Sequence, residues 1–170
     1  TRSVVKKYSI GDVAALVQSG FQGRDFERGR HLYATANCFK CHRLGPQGGA
    51  TGPDLTTVGR RFNARDLAEA IVEPNKVVSD RFRMSSFELE DGRVIIGRIA
   101  NMVGDDLHVV TDMTDPDGAT IINRNEVELI QPVAQSAMPA GLLDTFTEHE
   151  ILDLLAFIEA AGDENRPNFR

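Results

Sequence analysis

The spacing of apolar side chains divides the chain into helical, then strand-like, then helical stretches. Near the start, Ser9-Ile10-Gly11-Asp12 has the form of a capping box, and Ala14, Leu16 and Val17 continue a short helix that should end at Gly20. A second helix is predicted from about residue 24 to 36. Its apolar positions Phe26, Leu32, Tyr33 and Ala36 lie mostly on one side, with Arg28 and Arg30 off it. After a Gly-rich loop from Gly45 to Gly59, Asn63 should cap a third helix, Ala64 to Glu73, which Pro74 stops. From about Ser79 the period changes. Residues 81–90, 93–102, 107–112, 119–123 and 127–131 are rich in Val, Ile and Phe, partly alternate, and read as five short strands. Asp91-Gly92, Gly104-Asp105-Asp106 and Asp115-Pro116-Asp117-Gly118 supply the turns. The helical pattern returns at a second capping box, Thr147-Glu148-His149-Glu150, followed by Ile151, Leu154, Leu155 and Ile158 on one face. The class is therefore α+β, with a β block inside an α domain.

Composition narrows the function. Hydrophobic residues at 41% and charged residues at 26% are ordinary for a globular chain of 170 residues. A formal charge of −6 argues against nucleic acid as a partner and would favour an electropositive one. No stretch is long and apolar enough to span a bilayer. Thr1 through Tyr8 lacks the apolar core of a secretory signal and reads as a linker, as though Thr1 were a cut site within a longer protein. No Ser/His/Asp set, phosphate-cradling loop or purposeful carboxylate pair is evident, so no catalytic residue is assigned.

The two cysteines are the most informative feature. Cys38 and Cys41 are followed at once by His42, and Cys-x-x-Cys-His is the attachment signature of c-type haem. Two thiols add across the two vinyl groups on one porphyrin edge, and two intervening residues let one turn of chain span that edge. The next residue then lies under the iron, where an imidazole can coordinate. Three rivals stand beside this reading. A thioredoxin-like pair wants a preceding strand and leaves His42 without a role. A structural zinc site needs four ligands, and His31, His108 and His149 lie at no finger spacing. Chance occurrence of so short a motif is the third.

Helix, CxxCH, loop, Gly-Pro, helix, Met-Pro, helix is a ground plan that resembles small class I cytochromes c. Gly29 and Tyr33 match that family's small-residue and aromatic pair on its first core helix, and Leu154 and Phe157 match the other side of the crossing. Gly52-Pro53-Asp54-Leu55 is similar to the family's Gly-Pro-x-Leu loop. The resemblance implies that the Pro53 carbonyl accepts a hydrogen bond from the haem-ligating His42. Gly59-Arg60-Arg61-Phe62 looks like the stretch that covers a haem edge, with Arg61 or Arg60 placed to pair with a propionate. A narrower resemblance covers almost the whole chain. Residues 23–29, 52–62, 70–76 and 136–143 look like the haem-binding domain family of planctomycetes and verrucomicrobia, which places a β insertion before its Met-Pro segment and often ends long secreted dehydrogenase-like chains.

For the sixth ligand the resemblance favours Met138, which precedes Pro139 just ahead of the final helix. Met84, Met102 and Met113 lie in the β block, where Met usually fills gaps. His31, His108 and His149 are the other competitors. The resulting expectation is a class I cytochrome c helical fold interrupted by a small antiparallel five-stranded, SH3- or Sm-like β insertion. Its parts would be a linker and helix at 1–22, a haem domain at 23–78 and 132–163, the insertion at 79–131, and a tail at 164–170. One covalent haem c would be held by Cys38, Cys41, His42, Gly52, Pro53, Leu55, Arg61, Phe62, Met138 and Pro139, with His42 and Met138 on the iron. The expected function is single-electron transfer to a redox partner protein or a fused upstream dehydrogenase domain. Because c-type haem is attached outside the bacterial cytoplasm, a periplasmic or otherwise exported location follows. The alternative is a haem-based domain that binds or senses a small ligand at an open or displaceable sixth site.

Overall fold

The computed structural model describes residues 2–170, so the reading of Thr1 as a cut site lies outside the described residues. The chain mixes helix and sheet and divides into two compact units, residues 1–76 with 139–170, and residues 77–138.

The first unit is helical. Its elements are α1 (Ile10–Val17), α2 (Phe26–Thr35), a single turn α3 (Cys38–Cys41), a minimal hairpin of β1 (Arg43–Leu44) and β2 (Gln47–Gly48), α4 (Ala64–Val72), and α5 (Glu148–Glu159). The caps form as the sequence predicts. Ser9 and Asp12 exchange both bonds of a capping box, and so do Thr147 and Glu150. Asn63 accepts from the backbone N–H of Asp66 at the start of α4. Helix α2 starts later than residue 24, because the Asp25 side chain accepts the backbone N–H of Arg28 and so becomes the cap.

Helices α2 and α5 cross closely at Gly29. A Cβ there would lie 2.5 Å from the Asp153 carbonyl oxygen and 2.8 Å from Phe157 Cβ, so only glycine allows this approach. The rings of Tyr33 and Phe26 pack on Phe157 with centroids 5.6 and 5.4 Å away. Asp153 is fully buried at the crossing and accepts from the Asp25 N–H and from Arg28 Nε. Segments near both ends of the described residues are bonded to the helical unit. Val5 N–H donates to Asp144 O (2.7 Å) and the Tyr8 hydroxyl to Phe146 O (3.0 Å), which ties residues 5–8 to the segment ahead of α5. At the other end Arg24 N–H donates to Asn168 O (2.8 Å), and Phe169 meets Phe26 edge-on.

The second unit is one antiparallel sheet built from β3 (Ser85–Leu89), β4 (Val94–Val103), β5 (Asp106–Val110), β6 (Thr120–Asn123) and β7 (Val127–Pro132), in the order β6-β5-β4-β3-β7. Alternation along these strands puts Phe87, Leu89, Leu107, Val109 and Ile122 into one buried cluster, with Ile95 and Val127 against it. Two corrections arise. The first strand starts at Ser85 and not at residue 81, because Asp80–Phe82 forms a short 3₁₀ turn. Arg83 closes that turn through Asp80 (3.1 Å) and the Val78 carbonyl (3.1 Å). Met113 is buried as a gap-filler, but Met102 is 55% exposed. No described helix is long and apolar enough to cross a membrane.

Candidate functional site

Helix α2 delivers the chain to the cysteines through one left-handed residue. Asn37 has φ 58°, a conformation that Asn tolerates better than most side chains, and the reversal starts α3 immediately. The His42 N–H donates to Cys38 O (2.9 Å), closing one helical turn. Residues three apart on such a turn share a face, so Cys38 and Cys41 stand side by side as thiols outside any disulfide. Both are half-buried, and burial pushes the Cys38 thiol up to about 11.

His42 ends the turn with extended backbone, and its Nδ1 lies 2.8 Å from the carbonyl oxygen of Pro53. A carbonyl can only accept, so Nδ1 carries the proton and Nε2 keeps its lone pair. Burial holds the imidazole below its ordinary pKa, while the Pro53 carbonyl pulls the other way. Burial thus favours the neutral ring, the form in which imidazole binds a metal.

The loop after the motif folds back on it through close backbone contacts. Gly49 N–H donates to Phe39 O and Gly52 N–H to Cys41 O, both at 2.8 Å. A Cβ on Gly49 would sit 2.0 Å from Lys40 O, and one on Gly48 would sit 2.2 Å from His42 O. At Gly52 a Cβ would meet the ring itself, 2.9 Å from Cε1 and 3.0 Å from Nδ1 of His42. The Tyr33 hydroxyl, its pKa raised by burial, donates to His42 O at 3.2 Å. Leu55 N–H holds the next carbonyl, that of Arg43, at 2.8 Å.

Of the residues assigned from sequence, Cys38, Cys41, His42, Gly52, Pro53 and Leu55 come together here. Arg61 and Phe62 follow a 3₁₀ turn (Val58–Arg60). Both are exposed, and the guanidinium lies over the Phe62 ring at 5.8 Å. Met138 is half-buried, its N–H donating to Ser136 Oγ (3.1 Å), and it ends the second unit where Pro139 resumes the first. Gly48, Gly49 and the Tyr33 hydroxyl were not singled out from sequence. The glycine-rich composition was the only signal for the first two.

The donor set fits a haem better than a bare metal ion. No three His, Cys, Asp or Glu side chains converge as an ion cage among the described residues. Instead two thiols share one face of a turn, and a separate imidazole offers Nε2, with glycines where any side chain would strike the ring or its backbone. No curated protein matches this chain. The Cytochrome c family model matches residues 26–88, a span that contains α2, the paired cysteines, His42 and the Gly52-Pro53 loop, and this supports a c-type cytochrome.

Proposed function

We propose that this chain is a monohaem c-type cytochrome domain that passes single electrons, the terminal module of a larger exported redox protein. Cys38 and Cys41 would form the two thioether bonds, and His42 Nε2 would bind the iron. Met138 would supply the sixth ligand and Pro139 would fix the approach to it. Gly52, Pro53 and Leu55 form the loop on the His42 side, and Arg61 and Phe62 would lie along the porphyrin edge. The helical unit would be a class I cytochrome c fold, with the five-stranded sheet as its insertion.

The observation that carries the reading is the 2.8 Å contact between His42 Nδ1 and Pro53 O, directly after a turn presenting two thiols. It selects the tautomer whose free nitrogen can bind iron and raises the basicity of that nitrogen. When bound, the haem supplies a reversible ferric/ferrous couple, and a thioether ligand such as Met138 raises its potential. What the protein contributes is to hold the imidazole neutral, fix its plane and keep the site shaped.

The test is the absorption spectrum of the purified, exported protein in both oxidation states, with a pyridine haemochrome assay. Low-spin spectra, a covalent haemochrome and the long-wavelength sulfur-to-iron(III) band support electron transfer with His/Met ligation. High-spin spectra and ready CO binding would instead assign the chain to small-ligand binding.

A further inference from the structure

The second unit leaves one edge of its sheet open. β7 is the last strand in the order β6-β5-β4-β3-β7, and no described strand lies on its other side. Its residues 128–132 are all exposed, with Leu129 and Ile130 on opposite faces. The ladder fixes which backbone groups are spare. The Val133 N–H donates to Met84 O (2.9 Å), and the register pairs Ser85 with Pro132, Ser86 with Gln131 and Phe87 with Ile130. Bonded and non-bonded pairs alternate in an antiparallel ladder, so Gln131 bonds β3 while the N–H and C=O of Ile130 point outward. Pro132 falls at the next outward position, where its missing N–H leaves the existing ladder intact and ends the open edge.

Beside this edge runs an apolar groove of about 370 Å³, lined by Ile99, Met102, Leu107, Val127, Leu129 and Ile130. Leu107 belongs to the buried cluster of the unit, so an apolar side chain entering the groove would continue that core. Met102 is exposed here, and its flexible thioether adapts to varied side chains. The charge around the edge is negative. Glu126 and Glu128 flank it. Glu88, opposite Leu129, and Glu90, whose N–H donates to Glu126 O, stand on the β3 side. Arg124 also lines the groove, and its own N–H bonds the carbonyl of Asp105. The ion pairs of this unit are Arg83–Asp80 and Arg93–Asp91, so no described cation neutralises any of the four glutamates.

We propose that β7 takes up a short extended segment of a partner protein, apolar and carrying Lys or Arg, as a sixth strand of the sheet. The Ile130 N–H and C=O would extend the ladder, the groove would take apolar side chains of the segment, and Glu126 and Glu128 would meet its cations. A second copy of this chain is the poorer occupant, because pairing β7 with β7 gathers the same carboxylates along one seam. Every residue of the site belongs to the second unit, and none is assigned to the haem.

Amide hydrogen exchange of the full holoprotein tests this. The probes are capped hexapeptide pools that alternate Lys or Arg with Val, Ile or Leu, and matched pools carrying Asp or Glu instead. The basic pool should slow exchange at Ile130 at least about tenfold and leave Gln131, already bonded to β3, unchanged. The acidic pool should leave both. E126Q/E128Q should weaken binding of the basic pool at least about threefold, and raising salt from about 50 to about 300 mM should weaken it too. No slowing at Ile130 with the basic pool, or equal slowing with the acidic pool, overturns the proposal. Slowing that grows with protein concentration alone also overturns it, because the occupant is then a second copy.

Discussion

One edge of the His42 imidazole meets both a carbonyl and a glycine: Pro53 O lies 2.8 Å from Nδ1, and a Cβ on Gly52 would lie 2.9 Å from Cε1 and 3.0 Å from Nδ1. Both contacts act on the Nδ1–Cε1 edge of the ring, and with the proton on Nδ1 the lone pair stays on Nε2. Gly52→Ala should therefore act on the ring more than on the chain. A methyl 2.9 Å from Cε1 must push the imidazole or bend the loop, at a cost of about 1–3 kcal/mol. The expected outcome is a lower melting temperature together with a growing high-spin fraction in the ferric spectrum. A variant that melts lower yet keeps an unchanged spectrum would contradict a role in orienting His42.

The helix crossing makes a separate prediction. Gly29→Ala places a Cβ against backbone, 2.5 Å from Asp153 O, and should cost about 2–3 kcal/mol, read as a lower urea midpoint at constant slope. Gly11→Ala is the control. Its Cβ would meet only Ser9 Oγ at 3.6 Å, on a helical residue, and should be neutral or stabilising by about 0.5 kcal/mol.

Asp153 is buried and its partner Arg28 is half in water, so the two are not equivalent. Asp153→Asn still offers an oxygen to the Asp25 N–H and should cost about 1 kcal/mol. Arg28→Ala leaves a buried carboxylate without its counter-charge and should cost about 2–3 kcal/mol. The double variant should be more stable than the sum of the two losses implies. Strict additivity in a denaturation cycle would show that the pair is not coupled.

At the start of α1, Lys6 and the Ser9 hydroxyl and N–H all bond the Asp12 carboxylate, holding its pKa well below the usual carboxylate value. A depressed folded pKa gives stability that is complete above the unfolded value and lost as pH falls through the folded one. The stability difference between wild type and Asp12→Asn should thus be constant above about pH 5 and shrink below about pH 4. A difference that grows in acid would reverse the sign and rule out this cap as its source.

What the sequence made legible follows from where its signals are local. Ser9/Asp12 and Thr147/Glu150 cap helices because the bonds span only a few residues, and the Asp-Gly and Asp-Asp turns mark strand ends for the same reason. Gly29 was legible because a glycine inside an amphipathic helix needs a close neighbour. The cradle was only half legible. That Gly48, Gly49 and Gly52 each touch the attachment turn depends on how the loop folds back, which spacing does not encode. Nor does helical periodicity say that the Tyr33 hydroxyl reaches the His42 carbonyl, since an aromatic ring alone satisfies that position. Residues 81 and 82 read as the start of a strand from the apolar pattern that follows them, but they belong to the turn Asp80–Phe82, which Arg83 closes.

The most direct test is the intact mass of the protein recovered after export through a haem-attachment system, for wild type and for C38A/C41A. The account predicts a wild-type mass heavier than the polypeptide by one haem, and a double variant at the bare polypeptide mass. A wild-type protein at bare polypeptide mass would contradict it.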